Sequence, residues 1–276
     1  MTTTLRPTGP ERPEADGGRS RDYEVCVNGR PVGSVHVRTD ERGGPEAGRI
    51  RDLRIAEPDR HCGRGTVAAL AAEEVLRGWG CRRILISVPA SATTALGLAS
   101  ALGYVETGRR LSKTLTGPPD LPPGSEPRPL TRIEYPAWQE AAAAAFVEVR
   151  VRAGTPRELA ERSVDESYRV QLPQGADTPG NALLVLGHEG TDVGYVWVAP
   201  RRPYEPYGWV FDVEVHPAYR GRGHGRTLML LAERECLAAG VDRLGLNVFA
   251  DNPVALRLYE SLGYTPAEFH FTKPLR

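Results

Sequence analysis

Short runs of alternating apolar and polar residues recur along the chain, separated by stretches with helical spacing, and the order of these elements occurs twice. Tyr23–Val27 and Val32–Val37 alternate as strands do and flank Asn28-Gly29-Arg30, a strong hairpin signal. Leu183–Leu186 and Val193–Val198 repeat that arrangement around Glu189-Gly190. Strands Ile50–Ile55 and Trp209–Val215 come next, followed by helices over residues 64–78 and 224–239. Strands Ile84–Val88 and Arg243–Val248 and short helices over 93–101 and 252–261 complete each half. The second half alone carries two more good helix formers in front, Tyr135–Arg152 and Pro156–Gln171.

This parallel is a true internal repeat. Adding 160 to each position of Asp52–Leu115 lands on Asp212–Leu275 without a gap. Arg60, Gly63, Gly65, Gly80, Arg83 and Val88 meet identical residues, and Leu102-Gly103-Tyr104 meets Leu262-Gly263-Tyr264. Lys113 and Leu115 meet Lys273 and Leu275. Composition alone would not hold register through strands, helices and turns. The proline-rich stretch between the halves cannot continue a helix or a central strand. The reading is a polar, disordered tail at 1–21, a truncated first domain at 22–115, a linker at 116–127 and a second domain at 128–276.

Composition narrows the function. Lys and Arg total 35 against 35 for Asp and Glu, which disfavours a nucleic-acid partner needing a net basic face. Four scattered cysteines and six dispersed histidines offer neither a disulfide framework nor a metal-ligand spacing, so no metal is expected. No run approaches the ~20 apolar residues of a membrane span, and the N-terminus lacks an apolar signal core. A cytoplasmic protein, monomeric or homodimeric, is expected.

The chemistry concentrates in Arg220-Gly221-Arg222-Gly223-His224-Gly225-Arg226, which leaves a strand and opens a helix. Glycines there let successive N–H groups converge at the positive end of a helix dipole, a ready site for a pyrophosphate. By itself such a turn is often only a turn. It is not a P-loop, because no G-K-[ST] closes it. Its continuation is more specific: Asn252-Pro253-Val254-Ala255, then Tyr259, then Leu262-Gly263-Tyr264. Here the chain resembles the GNAT superfamily of acyl-CoA N-acyltransferases, whose signature is R/Q-x-x-G-x-G/A after the fourth strand and N-x-x-A-x-x-x-Y-x-x-x-G-[FY] after the fifth. Two tandem copies, an architecture similar to that of mycothiol synthases, fit the repeat; the missing front helices of the first copy set this chain apart from them.

The resemblance implies two α/β (α+β) domains, each a mixed, mostly antiparallel twisted sheet flanked by helices, the first truncated. It implies acetyl-CoA as co-substrate, attacked directly by a primary amine. The pantetheine arm would lie between splayed strands against backbone groups of Val213 and Val215. Residues Arg220, Gly221, Arg222, Gly223, His224, Gly225 and Arg226 would hold the diphosphate, Asn252 would hold the pantetheine arm by its side-chain amide, and Asn247 would belong to the same cofactor site. Asn252 also reads as an ordinary helix cap before a proline. Tyr259 occupies the general acid's place in the motif. An alkylammonium holds its proton with a pKa of ~10.4, so a base is useful; Glu214 and then Asp212 are the candidates, on one face of the fourth strand unless a bulge intervenes.

In the first copy Tyr259, Asn252, Asn247 and Glu214 are replaced by Ala99, Ala92, Ser87 and Arg54. Leu53, Ile55, Arg60, Gly63, Arg64, Gly65 and Thr66 could still form a second CoA site, but that copy is expected to be silent. Trp197, Tyr204, Glu205 and Tyr207 are candidates for the acceptor pocket. The favoured acceptor is a small-molecule amine. The alternatives are a protein N-terminus, or no transfer at all in an acyl-CoA sensor or a scaffold.

Overall fold

The computed structural model describes residues 2–14, 17–40, 44, 46–152, 155–201 and 206–275. The strands are β1 (Thr3–Pro7), β2 (Arg12–Pro13), β3 (Arg19–Val27), β4 (Arg30–Thr39), β5 (Ala47–Ile55), β6 (Arg83–Pro89) and β7 (Val105–Thr114). Helices α1 (Arg64–Gly78) and α2 (Thr93–Ala101) interleave with the last of them. The second half contains β8 (Ser125–Pro129), α3 (Tyr135–Arg152), α4 (Arg157–Gln171), β9 (Ala182–His188), β10 (Thr191–Ala199) and β11 (Gly208–Val215). It ends with α5 (His224–Ala238), β12 (Arg243–Phe249), α6 (Pro253–Ser261) and β13 (Thr265–Pro274).

Two compact units result, residues 1–107 with 268–276, and residues 108–267. The first has strand order β1-β3-β4-β5-β6-β13, and the second β7-β12-β11-β10-β9-β8. Within each, one central pair is parallel, β5 with β6 and β11 with β12, and the rest are antiparallel. Each unit is therefore closed by the final strand of the other half of the sequence. The sequence-based boundary near residue 116 does not anticipate this exchange.

The exchanged strands bring equivalent lysines into equivalent places. In the first unit Lys273 Nζ lies 2.7 and 2.9 Å from the carboxylate of Glu73, and 5.4 Å over the Tyr104 ring. In the second, Lys113 Nζ lies 2.7 and 2.8 Å from Glu233 and 5.6 Å over Tyr264. Both glutamates are buried, and an unpaired buried carboxylate would be strongly destabilising. The two lysines are 160 positions apart, so each copy receives the other's equivalent residue.

The expected tail is instead largely ordered strand. Residues Thr3–Pro7 pair antiparallel with Tyr23–Val27, and Arg12–Pro13 pair with β3. The edge position explains why prolines are tolerated there. Likewise the end of the expected linker forms β8, which pairs with β9 from Ser125 to Pro129.

Helix α1 packs its Leu76 face on one side of the first sheet, over Val25, Val35, Val37 and Ile84. Helix α5 does so in the second, its Leu228 and Met229 lying over Val196, Leu244 and Leu246. The opposite faces differ. In the second unit α3 and α4 cover Leu183, Val185, Tyr195 and Trp197. In the first, no helix among the described residues does so, and the alternate positions are Asp22, Glu24, Ser34, His36 and Arg38, lining a cleft of about 470 Å³. Their charges are paired within the sheet, as in Arg6–Glu24 at 2.6 Å and His36–Asp22 at 2.7 Å. Loss of the covering helices and loss of the apolar face go together, since uncovered apolar surface would stay in water.

Glycine is required where β10 meets β11. A Cβ on Gly194 would stand 2.2 Å from the carbonyl oxygen of Glu214, and one on Gly33 would stand 2.1 Å from that of Arg54. Gly194→Ala must push β11 away. Overpacking of this kind costs about 1–3 kcal/mol, so calorimetry is expected to show a melting temperature lower by roughly 5 °C.

Candidate active site

The strands β11 and β12 pair only from Gly208–Leu244 to Val210–Leu246, and no pairing continues beyond. On its other side β11 stays paired with β10 through Val215, and β12 stays paired with β7 through Phe249. The parallel pair thus opens into a wedge, one edge formed by backbone of residues 211–215. Val213 and Val215 lie on that edge, half-buried.

A register shift between Trp197 and Val198 leaves Phe211 as the extra residue of a bulge in β11. Downstream of it, Asp212 and Glu214 share one face, and a single hydroxyl reaches both. Tyr195 Oη lies 3.1 Å from Asp212 Oδ2 and 2.9 Å from Glu214 Oε2. Burial pushes the Asp212 carboxyl up to about 6, opposed by the Tyr195 hydrogen bond and reinforced by the Glu214 charge. Burial and the Asp212 charge in turn raise the phenols of Tyr168 on α4 and Tyr195 on β10 above their usual range. The same two causes push Tyr259 on α6 up to about 12. Three neutral phenols therefore lie near one half-buried carboxyl group.

Trp138 of α3 and Tyr168 of α4 hold this arrangement from the front. Trp138 packs edge-on against Tyr168, Tyr195 and Trp197 with ring centroids 6.0, 5.7 and 6.0 Å apart. Such pairs contribute about 0.5–1.5 kcal/mol each beyond the burial of their area. Trp197 is buried, donates from Nε1 to Asn181 Oδ1 at 2.8 Å and stacks on Phe211 at 4.4 Å. It supports the site from beneath. Tyr207 lies near Trp209, while Tyr204 and Glu205 fall outside the described residues.

At the mouth of the wedge, Gly221 and Gly223 have φ of +78° and +88°, and a Cβ at either would point into open space. This left-handed backbone favours glycine and leads directly into α5. Among the described residues, none accepts a hydrogen bond from the amides of residues 221–225. Free amides at a helix start suit an anion. Arg220 donates to the Val215 carbonyl at 3.0 Å and lies 3.7 Å from Glu214, and Arg226 donates to Ser261 at 2.6 Å. His224 contributes its amide only. Its ring is buried 4.9 Å from that of His188, and burial lowers its pKa. Asn252 caps α6 by accepting from Ala255 N at 3.1 Å. Its Oδ1 is engaged, which leaves the amide NH₂ for a ligand. Asn247 is exposed on β12.

Such a turn and wedge occur in many folds, so the whole-chain comparison is decisive. The model of the acetyltransferase (GNAT) family matches residues 4–104 and again 138–264. The chain belongs to the GNAT acetyltransferase family. It is 29% identical over 282 residues to a mycothiol acetyltransferase of Nocardiopsis dassonvillei, covering 91% of this chain and 80% of that one. Against the N-acetyltransferase YycN of Bacillus subtilis the identity is 27% over 53% of this chain and 96% of the other. Among solved structures, a GCN5-related N-acetyltransferase from Sphaerobacter thermophilus superposes with a TM-score of 0.61 at 22% identity, covering 92% and 81% of the two chains. A tandem GNAT protein from the clavulanic acid biosynthesis pathway gives 0.54 at 21% identity, covering 93% and 83%. The chain is thus a tandem GNAT enzyme with two family regions. No helix among the described residues is long and apolar enough to cross a membrane.

The first GNAT copy keeps the backbone of the turn but has Ala99 and Ala92 where the second has Tyr259 and Asn252. Arg60 donates to the Ile55 carbonyl at 2.9 Å, as Arg220 does to Val215, and Gly63 has φ of +73°. Leu53 and Ile55 line the core of that copy, and Gly65 and Thr66 open α1. Arg64, however, pairs with buried Asp59, which also binds Arg30 at 2.6 Å. A carboxylate thus neutralises positive charge at the helix start. Asp52, the counterpart of Asp212, has left-handed backbone, is largely exposed and pairs with Arg54. No carboxyl group is buried in its place.

Two residues of the second copy escape a motif-based reading. Tyr195 and Tyr168 sit within apolar patterns, where a tyrosine reads as core. The one available signal is that Tyr195 stands in a strand expected to neighbour the two carboxylates.

Proposed function

We propose that the second copy transfers an acetyl group from acetyl-CoA to the primary amine of a small molecule, and that the first copy serves structure. The observation that carries this reading is that half-buried Asp212, at the point where β11 and β12 part, lies near enough to buried Tyr259 for its charge to raise that phenol. The turn fits the donor: its amides and those of the wedge edge would hold the diphosphate and pantetheine, with the Asn252 amide alongside.

Asp212 is the base of choice over Glu214. Its carboxyl, raised to near 6 by burial, is ionised at neutral pH yet basic enough to draw a proton from an ammonium. Tyr259 keeps its proton at neutral pH and can donate it toward the departing sulfur. The two are coupled. Once Asp212 has accepted a proton its charge disappears, and with it one of the causes that raise Tyr259. Tyr259 becomes a better acid at the moment it is needed.

A pair of carboxylates favours a cationic amine, and the aromatic cover of α3 and α4 favours a small one. The match to mycothiol acetyltransferases over most of the chain supports the same class. The test is mass spectrometry after incubation with acetyl-CoA and glucosamine, cysteine methyl ester, spermidine or a peptide amide. Acetylation of a small amine is expected, and acetylation of none, with CoA bound, would leave a sensor. Calorimetric titration is expected to give one CoA per chain; two would show that the first copy binds as well.

A further inference from the structure

The contacts of Tyr195 raise a question of proton bookkeeping. A phenol has one proton to donate, yet its oxygen lies within hydrogen-bond distance of both Asp212 Oδ2 and Glu214 Oε2. If Tyr195 donates to Glu214, its oxygen is open to accept from a protonated Asp212. The two carboxyl groups differ in surroundings: Asp212 is half-buried, with the phenols of Tyr168, Tyr195 and Tyr259 near enough to feel its charge, whereas the Glu214 side chain is 35% exposed and lies beside Arg220. A base must lose its proton before the next turnover, and the side-chain hydroxyl that the structure places on Asp212 is that of Tyr195.

We propose that Tyr195 relays the proton gained by Asp212 to Glu214, from which it leaves to solvent. The proposal rests on the function put forward above and assigns Glu214 a role distinct from that of the base. The atoms balance. Asp212 takes one proton from the acceptor ammonium. The Asp212 O–H proton then passes to the Tyr195 oxygen as the Tyr195 proton passes to Glu214. Glu214 releases that proton to water, the Tyr195 hydroxyl turns from Asp212 back to Glu214, and all three groups return to their starting state. No oxidant or further reactant is involved.

Electrostatics and relay predict opposite results for Glu214→Gln, because the groups facing Asp212 are known. They are Glu214 on its own strand and the phenols of Tyr195, Tyr168 and Tyr259 from β10, α4 and α6. The Glu214 charge raises Asp212, so removing it makes Asp212 ionise at lower pH. A purely electrostatic Glu214 would therefore give a variant at least as active below pH 6. A relay gives a variant with kcat about tenfold lower across the pH range and a larger solvent deuterium isotope effect on kcat.

Tyr195→Phe keeps the ring that packs on Trp138 and removes only the hydroxyl. It is expected to lower kcat by a similar factor. It also removes a hydrogen bond that lowers Asp212, so the acid limb of the kcat/KM profile should move to higher pH. The double variant should be no slower than either single one, since both interrupt one path. Rates are read as acetyl transfer to whichever panel amine the unaltered chain accepts best, with CoA affinity and melting temperature as controls. Unchanged kcat and isotope effect in Glu214→Gln, or multiplicative losses in the double variant, would overturn the relay while leaving the acetyltransferase reading intact. Absence of transfer by the unaltered chain would overturn that reading, and the relay with it.

Discussion

A Tyr259→Phe variant is expected to fold, to bind CoA as the unaltered chain does, and to turn over about a hundredfold more slowly, in line with the ~10²–10⁴ that a positioned acid contributes. The substitution removes one buried hydroxyl and leaves the ring, which packs edge-on against Tyr264 at 6.1 Å within the core of the second unit. Stability should change by no more than about 1 kcal/mol. The deficit should appear in kcat and in kcat/KM alike, because the proton is needed only as the sulfur departs. Steady-state kinetics with a thiol-reactive dye reports it directly. Full turnover by Tyr259→Phe would assign the leaving-group proton to water and remove the main reason for placing activity in this copy.

Asp212→Asn should lower kcat/KM by about 10²–10³ and abolish the pH dependence centred on about 6. In the unaltered chain the base is available above that value, so kcat/KM should rise with pH through it. The same variant should be more stable than its parent at pH 8. Burial raises the folded carboxyl from 3.8 to about 6, so the unfolded chain ionises first. Between those two values the native state binds more protons, and stability falls as pH rises. The loss amounts to roughly 2–3 kcal/mol and is complete above about 6. An amide carries no such cost. A variant that loses activity and gains thermal stability together would show that the site is maintained at the expense of the fold. Chemical denaturation at pH 5 and pH 8 tests the sign, because the stabilisation should shrink at the lower pH.

Much of the fold was legible because the sequence states it twice. Register at a spacing of 160 residues located β5, α1, β6 and α2 in one half and β11, α5, β12 and α6 in the other. The two front helices were evident from their length and composition. What escaped reading depends on partners distant along the chain. Strand β1 has the proline-flanked, polar sequence of a tail and becomes a strand only because β3 offers an edge. Strands β7 and β13 have matching patterns, so nothing local says which sheet each joins.

The site divides in the same way. The turn, Asn252, Tyr259 and the two carboxylates come from contiguous motifs. The choice between the carboxylates depends on burial, and the bulge at Phe211 sets which face they share. Tyr195 and Tyr168 became visible only through the three-dimensional surroundings of Asp212, which no spacing rule encodes.

The exchange of final strands has a consequence for how the chain comes into being. Glu73 meets its lysine only when residue 273 has been made, 200 positions later. The N-terminal unit, first to emerge during synthesis, is therefore the last to be completed. Until then its buried carboxylate lacks the lysine that pairs with it and the edge of β6 has no partner, so the nascent chain must carry an unfinished sheet while the second half assembles behind it.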